Sequence, residues 1–345
     1  MSWVESELRE QPAALERFLA AELANAVEIA RSLAGSDVRY VLIAARGSSD
    51  NAARYAQYAF GTVNRLPVAL AAPSLTTLYE ASPRFDDALV IGISQSGAAP
   101  DVAAVLAEAR RQGRPTLAIT NDPGSLLATT AERTLELRAG EEHAVAATKT
   151  YLNSIAAVAL LSAALSESEE RLEQLREAPR WAAEQIERSL AEAHKVDAYD
   201  GVDTGAVVAR GVNYCTAFEI ALKIRELSGA PFEAFSSADL LHGPIAALKP
   251  GRPVIVVAPS GPALDTMRAS IEKLRGRGAS VIAISDDAKL LAAADTGLPL
   301  VCTTPEWLSP LLAVIPGQVA ALQLALLRGL DVDRPGGLTK VTLTR

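Results

Sequence analysis

The sequence contains few of the residues that build disulfide-rich or metal-dependent proteins. Its 345 residues include two cysteines, Cys215 and Cys302, and three histidines. One disulfide is arithmetically possible, but so low a count is atypical of a secreted, disulfide-stabilised scaffold. No two histidines or cysteines have the spacing of metal ligands, so we expect no metal site.

Several short motifs of common enzyme classes are also missing. The chain has no Gly-x-Ser-x-Gly motif and no Walker-type loop, which argues against two widespread kinds of nucleophile and nucleotide site. The absence of Gly-x-Gly-x-x-Gly disfavours a generic nucleotide-binding α/β protein. We therefore expect no cofactor.

Charge and hydropathy limit the partners. A formal net charge of −8 and a pI of about 5.1 disfavour nucleic-acid binding, although a local site can still attract a small anion. Residues 1–20 lack the basic-then-apolar layout of a signal peptide. The most apolar stretch, 311–327, is interrupted by Pro316-Gly317-Gln318, which predicts a buried helix rather than a membrane span. We expect a cytoplasmic protein.

The apolar residues alternate between two kinds of segment. Hydrophobic residues make up 49% of the chain, and its length suggests about two domains. In the first half, strands are predicted at 40–45, 88–93 and 116–119, and helices at 1–34, 51–60 and 102–111. Runs that are apolar throughout and separated by helices are typical of parallel strands covered on both faces.

The second half repeats this alternation after a helical stretch at 146–198, which we expect Pro179 to break. Strands are predicted at 206–209, 254–258 and 281–284, and helices at 214–227, 264–275 and 307–328. We therefore predict an α/β protein with a helical segment at 1–34, a first domain at 35–167, a helical linker at 168–198, a second domain at 199–330 and a tail at 331–345.

Both halves carry the same order of loop residues, which indicates an internal repeat. Ser-Gly follows a buried strand at 96–97 and again at 260–261, and an aspartate stands four residues beyond each glycine. An Arg-Gly pair precedes each Ser-Gly at the same distance, so that Gly47 matches Gly211. We interpret the halves as two copies of one α/β unit.

Two serine-rich loops of the first half follow predicted strands, namely Gly47-Ser48-Ser49 and Ser94-Gln95-Ser96-Gly97. Ligands of parallel α/β sheets lie beyond the carboxyl ends of the strands, where helix N-termini favour anions. A third helix start adds Thr148 and Lys149. Such serines can be ordinary helix caps, but three of these segments in one unit favour a phosphate site. The second copy has Pro259 in its loop, which removes one N–H donor.

Glu219, Lys223 and Glu226 are spaced by four and three residues, so they lie on one helical face. A solvated salt-bridge ladder is one interpretation. The rest of that helix is apolar on most sides, however, which predicts a partly enclosed stripe and makes proton transfer a candidate role. His242, in Leu241-His242-Gly243-Pro244, is a further catalytic candidate, and a structural role for it is equally open.

Together these motifs resemble the sugar isomerase (SIS) domain family. The resemblance covers nearly the whole chain and is carried by Glu10-Gln11-Pro12, Ser94-Gln95-Ser96-Gly97, Ala147-Thr148-Lys149, Glu219-x3-Lys223-x2-Glu226, Leu241-His242-Gly243-Pro244 and Asp331-Val332-Asp333-Arg334-Pro335. It extends to the isomerase half of glutamine–fructose-6-phosphate amidotransferase and to free-standing glucosamine-6-phosphate deaminases. It implies two tandem SIS domains, each a parallel sheet flanked by helices in three layers.

The resemblance also implies a role for each site residue. The phosphate of a small sugar phosphate would be bound by Gly47, Ser48, Ser49, Ser94, Gln95, Ser96 and Thr148. Glu226 would move the proton between C2 and C1, with Lys223 supporting it or the reacting oxygens and Glu219 in the same catalytic stripe. His242 would assist ring opening from a neighbouring subunit, which implies a homodimer. Lys340 would meet the carbonyl of the open sugar.

Two departures from the amidotransferase pattern direct the expected reaction. Ala98-Ala99 stands where the synthase has Glu-Thr, and the following Pro100-Asp101 resembles deaminases and deglycases. The chain begins about where the isomerase half would, so we expect no synthesis from glutamine. We expect conversion of glucosamine 6-phosphate to fructose 6-phosphate and ammonia. A related deaminase or deglycase acting on another amino-sugar or fructosamine phosphate, and a non-catalytic sugar-phosphate sensor, are the alternatives.

Overall fold

The computed structural model describes residues 1–340, which fall into two compact units. The N-sheet unit comprises residues 10–142 and 149–179, together with 339–340. The C-sheet unit comprises residues 1–9, 143–148 and 180–338. Each unit contains one five-stranded sheet in which every strand pairing is parallel, so the α/β class is confirmed.

The N-sheet has the strand order β2-β1-β3-β4-β5. Its strands are β1 (Tyr40–Ala45), β2 (Val68–Leu70), β3 (Ala88–Ile93), β4 (Thr116–Thr120) and β5 (Arg133–Glu136). Every residue of β3 and β4 is buried, as expected for central strands with helices on both faces. One face of the sheet packs Val90 and Ala118 against Leu106 and Leu127, and each buried leucine stabilises the fold by about 1.5–3 kcal/mol.

The helices of the N-sheet unit follow the predicted alternation. They are α2 (Ser48–Ala59), α3 (Ser74–Thr77), α4 (Pro100–Arg111), α5 (Leu126–Thr130), α6 (Lys149–Leu165) and α7 (Glu169–Arg176), with the larger part of α1 (Trp3–Leu33). Helix α2 begins at Ser48, earlier than predicted, because Gly47 turns the chain at a φ of +55° directly after β1.

The connecting helical stretch breaks beside Pro179, as predicted. Helix α7 ends at Arg176, and Pro179 is the second residue of α8 (Ala178–Ala191), where its missing N–H costs no hydrogen bond of α8, although the proline cannot continue α7. A second interruption, at residues 166–168 between α6 and α7, was not predicted. A 3₁₀ segment, Ala193–Tyr199, follows α8.

The C-sheet has the order β10-β9-β8-β6-β7. Its strands are β6 (Gly205–Ala209), β7 (Phe232–Ser236), β8 (Pro253–Val257), β9 (Ser280–Ser285) and β10 (Thr296–Pro299), and its helices are α9 (Tyr214–Ser228), α10 (Ser237–Leu241), α11 (Leu264–Gly276), α12 (Ala288–Ala293) and α13 (Ser309–Leu327). On one face, Val254 and Val281 pack with Met267 and Ile271 of α11.

Helix α13 is the predicted buried helix. The segment Glu306–Leu327 is long and apolar enough to cross a membrane, but 83% of its most apolar window is buried inside the protein. Gly317 lets α13 approach α9 closely, because a Cβ at this position would collide with Ile220. The helix therefore forms part of the C-sheet core and supports the helix that carries Glu219, Lys223 and Glu226.

The closing motif of the chain caps its first helix. The carboxylate of Asp333 accepts hydrogen bonds from the backbone N–H groups of Trp3, at 2.7 Å, and Val4, at 3.3 Å. An acid at a helix N-terminus pairs with N–H groups that have no partner within the helix. The motif around Asp331–Pro335 thus has a structural function within the C-sheet unit.

Both sheets share one topological feature that positions loops. In the N-sheet, β1 pairs with β2 on one side and β3 on the other, so the chain reverses direction across the sheet between β1 and β3. In the C-sheet the same reversal lies between β6 and β8. Ligands of open α/β sheets bind at such switch points, beyond the carboxyl ends of the strands.

Candidate active site

The first serine pair lies at the switch point of the N-sheet. Ser48 and Ser49 are the first two residues of α2, directly after the open turn at Gly47. A Cβ placed on Gly47 would meet nothing within 4 Å, so the space beside this backbone is open. The N–H groups of Ser49 and Asp50 donate to the Arg46 carbonyl, at 3.1 and 3.3 Å. Helix N-termini in general favour anions.

The second serine loop flanks the same switch point. Ala45 of β1 lies in register with Ile93 of β3, so the loops that follow these strands start side by side. Ser94 Oγ accepts a hydrogen bond from the Gly97 N–H at 3.1 Å, and Ser96 Oγ accepts from the Ala98 N–H at 3.3 Å. A hydroxyl that accepts in this way keeps its own O–H donor for a ligand. Ser94, Gln95 and Ser96 are all partly exposed.

An ion pair that the sequence analysis did not predict joins the two loops. Arg46 donates from Nε (3.0 Å) and Nη2 (2.8 Å) to Oδ2 of Asp101, in the first turn of α4. The Asp101 side chain is 1% exposed and that of Arg46 is 51% exposed. The repeated Arg-Gly and Asp positions were visible in the sequence, but nothing there indicated that the two residues meet.

The corresponding place in the C-sheet is filled by protein. Glu306 lies against the turns at Gly211 and Gly261: its Oε1 is 3.7 Å from the Cβ position of Gly211, and its Cγ is 2.5 Å from that of Gly261. Burial raises the pKa of the Glu306 carboxyl. The partly buried Glu306 side chain occupies the space beside these turns. That the first copy is the better phosphate cradle stays a prediction.

The predicted charged stripe forms on α9. Lys223 Nζ donates to Glu226 Oε2 at 2.5 Å and lies 3.4 Å from Glu219 Oε1. The side chains of Glu219 and Lys223 are 0% and 1% exposed, whereas that of Glu226 is 22% exposed. The solvated-ladder interpretation is therefore wrong for this helix. Glu226 is the one carboxylate of the stripe that a ligand can reach, and its Oε1 is not the oxygen that Lys223 holds.

His242 lies at the surface of the C-sheet unit, immediately after α10. Its backbone N–H donates to the Asp239 carbonyl at 3.0 Å, and Gly243 follows with a φ of +140°. The imidazole is exposed. Its role in ring opening, and its contribution to a neighbouring subunit, stay predictions.

Lys340, which by sequence alone is an ordinary tail charge, is held by a buried acid of the N-sheet unit. Its Nζ donates to Glu142 Oε2 at 2.6 Å. Glu142 also accepts from the Thr150 backbone N–H (3.1 Å) and hydroxyl (2.7 Å), so it caps α6 at the same time. The sequence analysis missed Glu142, whose only signal was its position shortly before a helix start.

The third predicted anion-binding segment behaves differently. Thr148 is buried and is the residue before α6, in the C-sheet unit, and its phosphate role stays a prediction. Lys149 is 2% exposed and donates to Glu10 Oε2 at 2.6 Å and to the Glu141 carbonyl. Its charge is thus neutralised inside the protein, and the suggestion that it supplies a cation for phosphate is wrong.

Cys215 is buried and Cys302 is partly buried, and both are free thiols. Across residues 1–340, no group of three or more His, Cys, Asp or Glu side chains is arranged to hold a metal ion.

Comparison with known proteins decides the family. The SIS domain model matches residues 36–164 and 203–328, which covers both sheets. This chain belongs to the SIS domain family. The residue limits of its SIS domains given from the sequence stay predictions.

The relatives of this SIS protein match nearly all of its sequence but are themselves longer. The glutamine–fructose-6-phosphate aminotransferase (isomerizing) of Thermus thermophilus is 34% identical over 97% of this chain, and that of Thermococcus kodakarensis is 35% identical over 97%. The chain spans 57% and 56% of the lengths of these two relatives.

Solved structures agree on the fold. A protein of Silicibacter pomeroyi DSS-3, provisionally assigned as a phosphosugar isomerase, superposes with a TM-score of 0.86 at 30% identity, covering 96% of this chain and 100% of that one. The glucosamine-6-phosphate deaminase of Thermotoga maritima superposes with a TM-score of 0.81 at 22% identity, covering 99% and 100% of the two chains. At that identity the likeness concerns the fold alone.

Proposed function

We propose that this chain is a phosphosugar isomerase of the deaminating kind, which converts glucosamine 6-phosphate and water to fructose 6-phosphate and ammonia. The observation that carries the proposal is the stripe on α9, where Lys223 is enclosed between two carboxylates and Glu226 alone is accessible. Enclosed, partnered ionisable groups of this kind are typical of proton-transfer sites. The relatives with isomerising activity in their names support the same reaction class.

In this mechanism the serine loops bind the phosphate and Glu226 transfers the proton. Hydrogen-bond donors of Ser48, Ser49 and the 94–96 loop hold the phosphate oxygens. His242 assists ring opening, and Lys340 meets the carbonyl at C1. Glu226 takes the proton from C2 and returns one to C1, which turns the 2-amino aldehyde into a 1-hydroxy-2-imine. Water then adds to the imine carbon, and ammonia leaves as the ketone forms.

We further propose that the enzyme is a cytoplasmic homodimer with no cofactor. The exposed position of His242 on its own chain is compatible with a role in a neighbouring subunit. Dimers with two-fold symmetry are the commonest soluble oligomers.

The test is ammonia release from glucosamine 6-phosphate, run beside galactosamine 6-phosphate and a fructosamine phosphate. The proposal predicts turnover of the first compound and its loss, by roughly two or more orders of magnitude, in Glu226→Gln. That variant should still bind fructose 6-phosphate. Turnover of another substrate alone would reassign the specificity, and binding without any turnover would make the protein a sensor.

A further inference from the structure

The ion pair between Arg46 and Asp101 stands where the N-sheet loops converge. Arg46 is the first residue after β1, and Asp101 is in the first turn of α4, after the 94–97 loop. These are the two loops to which the proposed function assigns phosphate binding. We propose that Arg46 is an additional phosphate-binding residue of this cradle, oriented by Asp101.

The geometry of the pair leaves donors for a ligand. Nε and Nη2 of Arg46 both donate to Oδ2 of Asp101, while Oδ1 accepts from the Val102 backbone N–H at 2.9 Å. Among the residues that the structure describes, no second group accepts from the Arg46 side chain. Nη1 therefore retains its N–H donors, on a side chain that is 51% exposed. A guanidinium with one edge fixed on a carboxylate presents its other edge in a defined direction.

The burial of Asp101 indicates what the acid does. A carboxylate that is 1% exposed is costly to keep unless it is paired. Here the partner is an arginine whose remaining surface faces outwards, so the buried acid anchors an exposed cation. Arginine is also the side chain best suited to phosphate, because its planar donors match two phosphate oxygens.

The second sheet provides an internal comparison. Arg210 and Asp265 occupy the matching sequence positions, after β6 and in the first turn of α11. Asp265 is 93% exposed and accepts from Arg268 instead, at 2.7 Å. Within the described part of the chain, no hydrogen bond or ion pair joins Arg210 to Asp265. The buried pair is thus present only where the crevice is open at its glycine, and absent where Glu306 fills it.

The test measures binding of fructose 6-phosphate to the full chain by calorimetry. Two variants are compared, each of which replaces one partner of the Arg46–Asp101 pair. Arg46→Ala should raise Kd by roughly tenfold or more, because a charged donor to the phosphate is lost. Asp101→Asn keeps an amide oxygen that can still accept from Arg46 and orient it, and it removes a negative charge near the ligand, so its Kd should change by less than about threefold. Arg210→Ala and Asp265→Asn are the matched controls in the C-sheet and should bind like the wild type.

If Arg46→Ala and Asp101→Asn weaken fructose 6-phosphate binding equally, the pair only holds the two loops together and the proposal fails. Wild-type affinity in Arg46→Ala would also overturn it. If Arg46→Ala does not fold, Arg46→Gln keeps a hydrogen bond to Asp101 without the charge and should show the same loss. A wild-type chain that binds no sugar phosphate defeats this inference together with the proposed function. A wild-type chain that binds fructose 6-phosphate but releases no ammonia defeats only the proposed reaction.

Discussion

Lys340 and Glu142, 198 positions apart in the sequence, form an ion pair of 2.6 Å in the N-sheet unit. The side chain of Glu142 is 0% exposed, and it is fixed from the other side by both polar groups of Thr150. The acid therefore has one orientation, set by the start of α6. It holds the lysine of the C-terminal tail at a defined point.

We predict that Glu142 acts as a positioning residue for Lys340. Glu142→Gln keeps the shape of the side chain but replaces one acceptor by an amide, so the lysine loses its charged partner. Turnover of the amino-sugar phosphate should fall by roughly tenfold or more, because a misplaced reacting group is costly. The measurement is kcat of the variant, with thermal unfolding recorded in parallel.

A double-mutant cycle separates positioning from a purely structural effect. If Glu142 acts through Lys340, Glu142→Gln should cost little further activity in a Lys340→Met background. Glu141→Gln, at the neighbouring exposed acid, is the control and should retain wild-type kcat. Additive losses in the double variant would contradict the prediction.

We predict that Lys223→Met destabilises the protein more than any other change in the stripe. Lys223 is the cation between two acids, and its loss leaves Glu219 buried beside a second carboxylate. Breaking a buried ion pair in this way costs about 3–5 kcal/mol. Chemical denaturation measures the change, and Glu226→Gln, at a partly exposed position, should lose less than half as much. Equal stability of Lys223→Met and wild type would mean that Glu219 is neutral or otherwise satisfied.

The sequence was sufficient for the three central strands of each sheet and for the residues of the α9 stripe, since both follow from local periodicity. The sequence analysis missed the edge strands β2, β5, β7 and β10, because their residues are only partly buried and form no continuous apolar run. Apolar runs such as 88–93 and 254–257 identify buried parallel strands without reference to the rest of the chain. The spacing of Glu219, Lys223 and Glu226 likewise fixes one helical face.

Local periodicity could not predict ion pairs between residues that are far apart in the sequence. Arg46 meets Asp101, and Glu142 meets Lys340, only because the sheet order and the course of the tail bring them together. The break beside Pro179 was predictable, because proline cannot continue a preceding helix whatever the fold. Lys149 was misjudged because its partner, Glu10, lies on the first helix.

Glu306 gives a prediction for the pH dependence of stability. Burial raises the pKa of its carboxyl in the folded state above the usual value of 4.5. Between these two pKa values the folded chain binds more protons at this site than the unfolded chain, so stability falls as the pH rises. Below the usual pKa both states are protonated, and above the folded pKa the full cost of burying the charge is present.

Glu306→Gln should therefore stabilise the protein at about pH 7 and have little effect at about pH 4, where the wild-type carboxyl is largely protonated. The measurement is the free energy of unfolding of both chains at the two pH values. Asp265→Asn, at a side chain that is 93% exposed, is the control. A variant that is less stable than wild type at neutral pH would indicate that the carboxylate has a favourable partner.

The proposed dimer makes a prediction about mixing two inactive variants. If Glu226 of one subunit works with His242 of the other, Glu226→Gln and His242→Ala are each inactive as pure proteins. A mixed dimer contains one site with both wild-type residues and one with neither. After exchange of subunits, random pairing should restore about a quarter of wild-type activity, because half of the dimers are mixed and each has one good site.

The measurement is ammonia release after co-refolding equal amounts of the variants, with the molar mass determined by light scattering. If both residues act within one chain, mixing yields no site with both wild-type groups, and the absence of any restored activity in a confirmed dimer would place His242 in its own subunit's site.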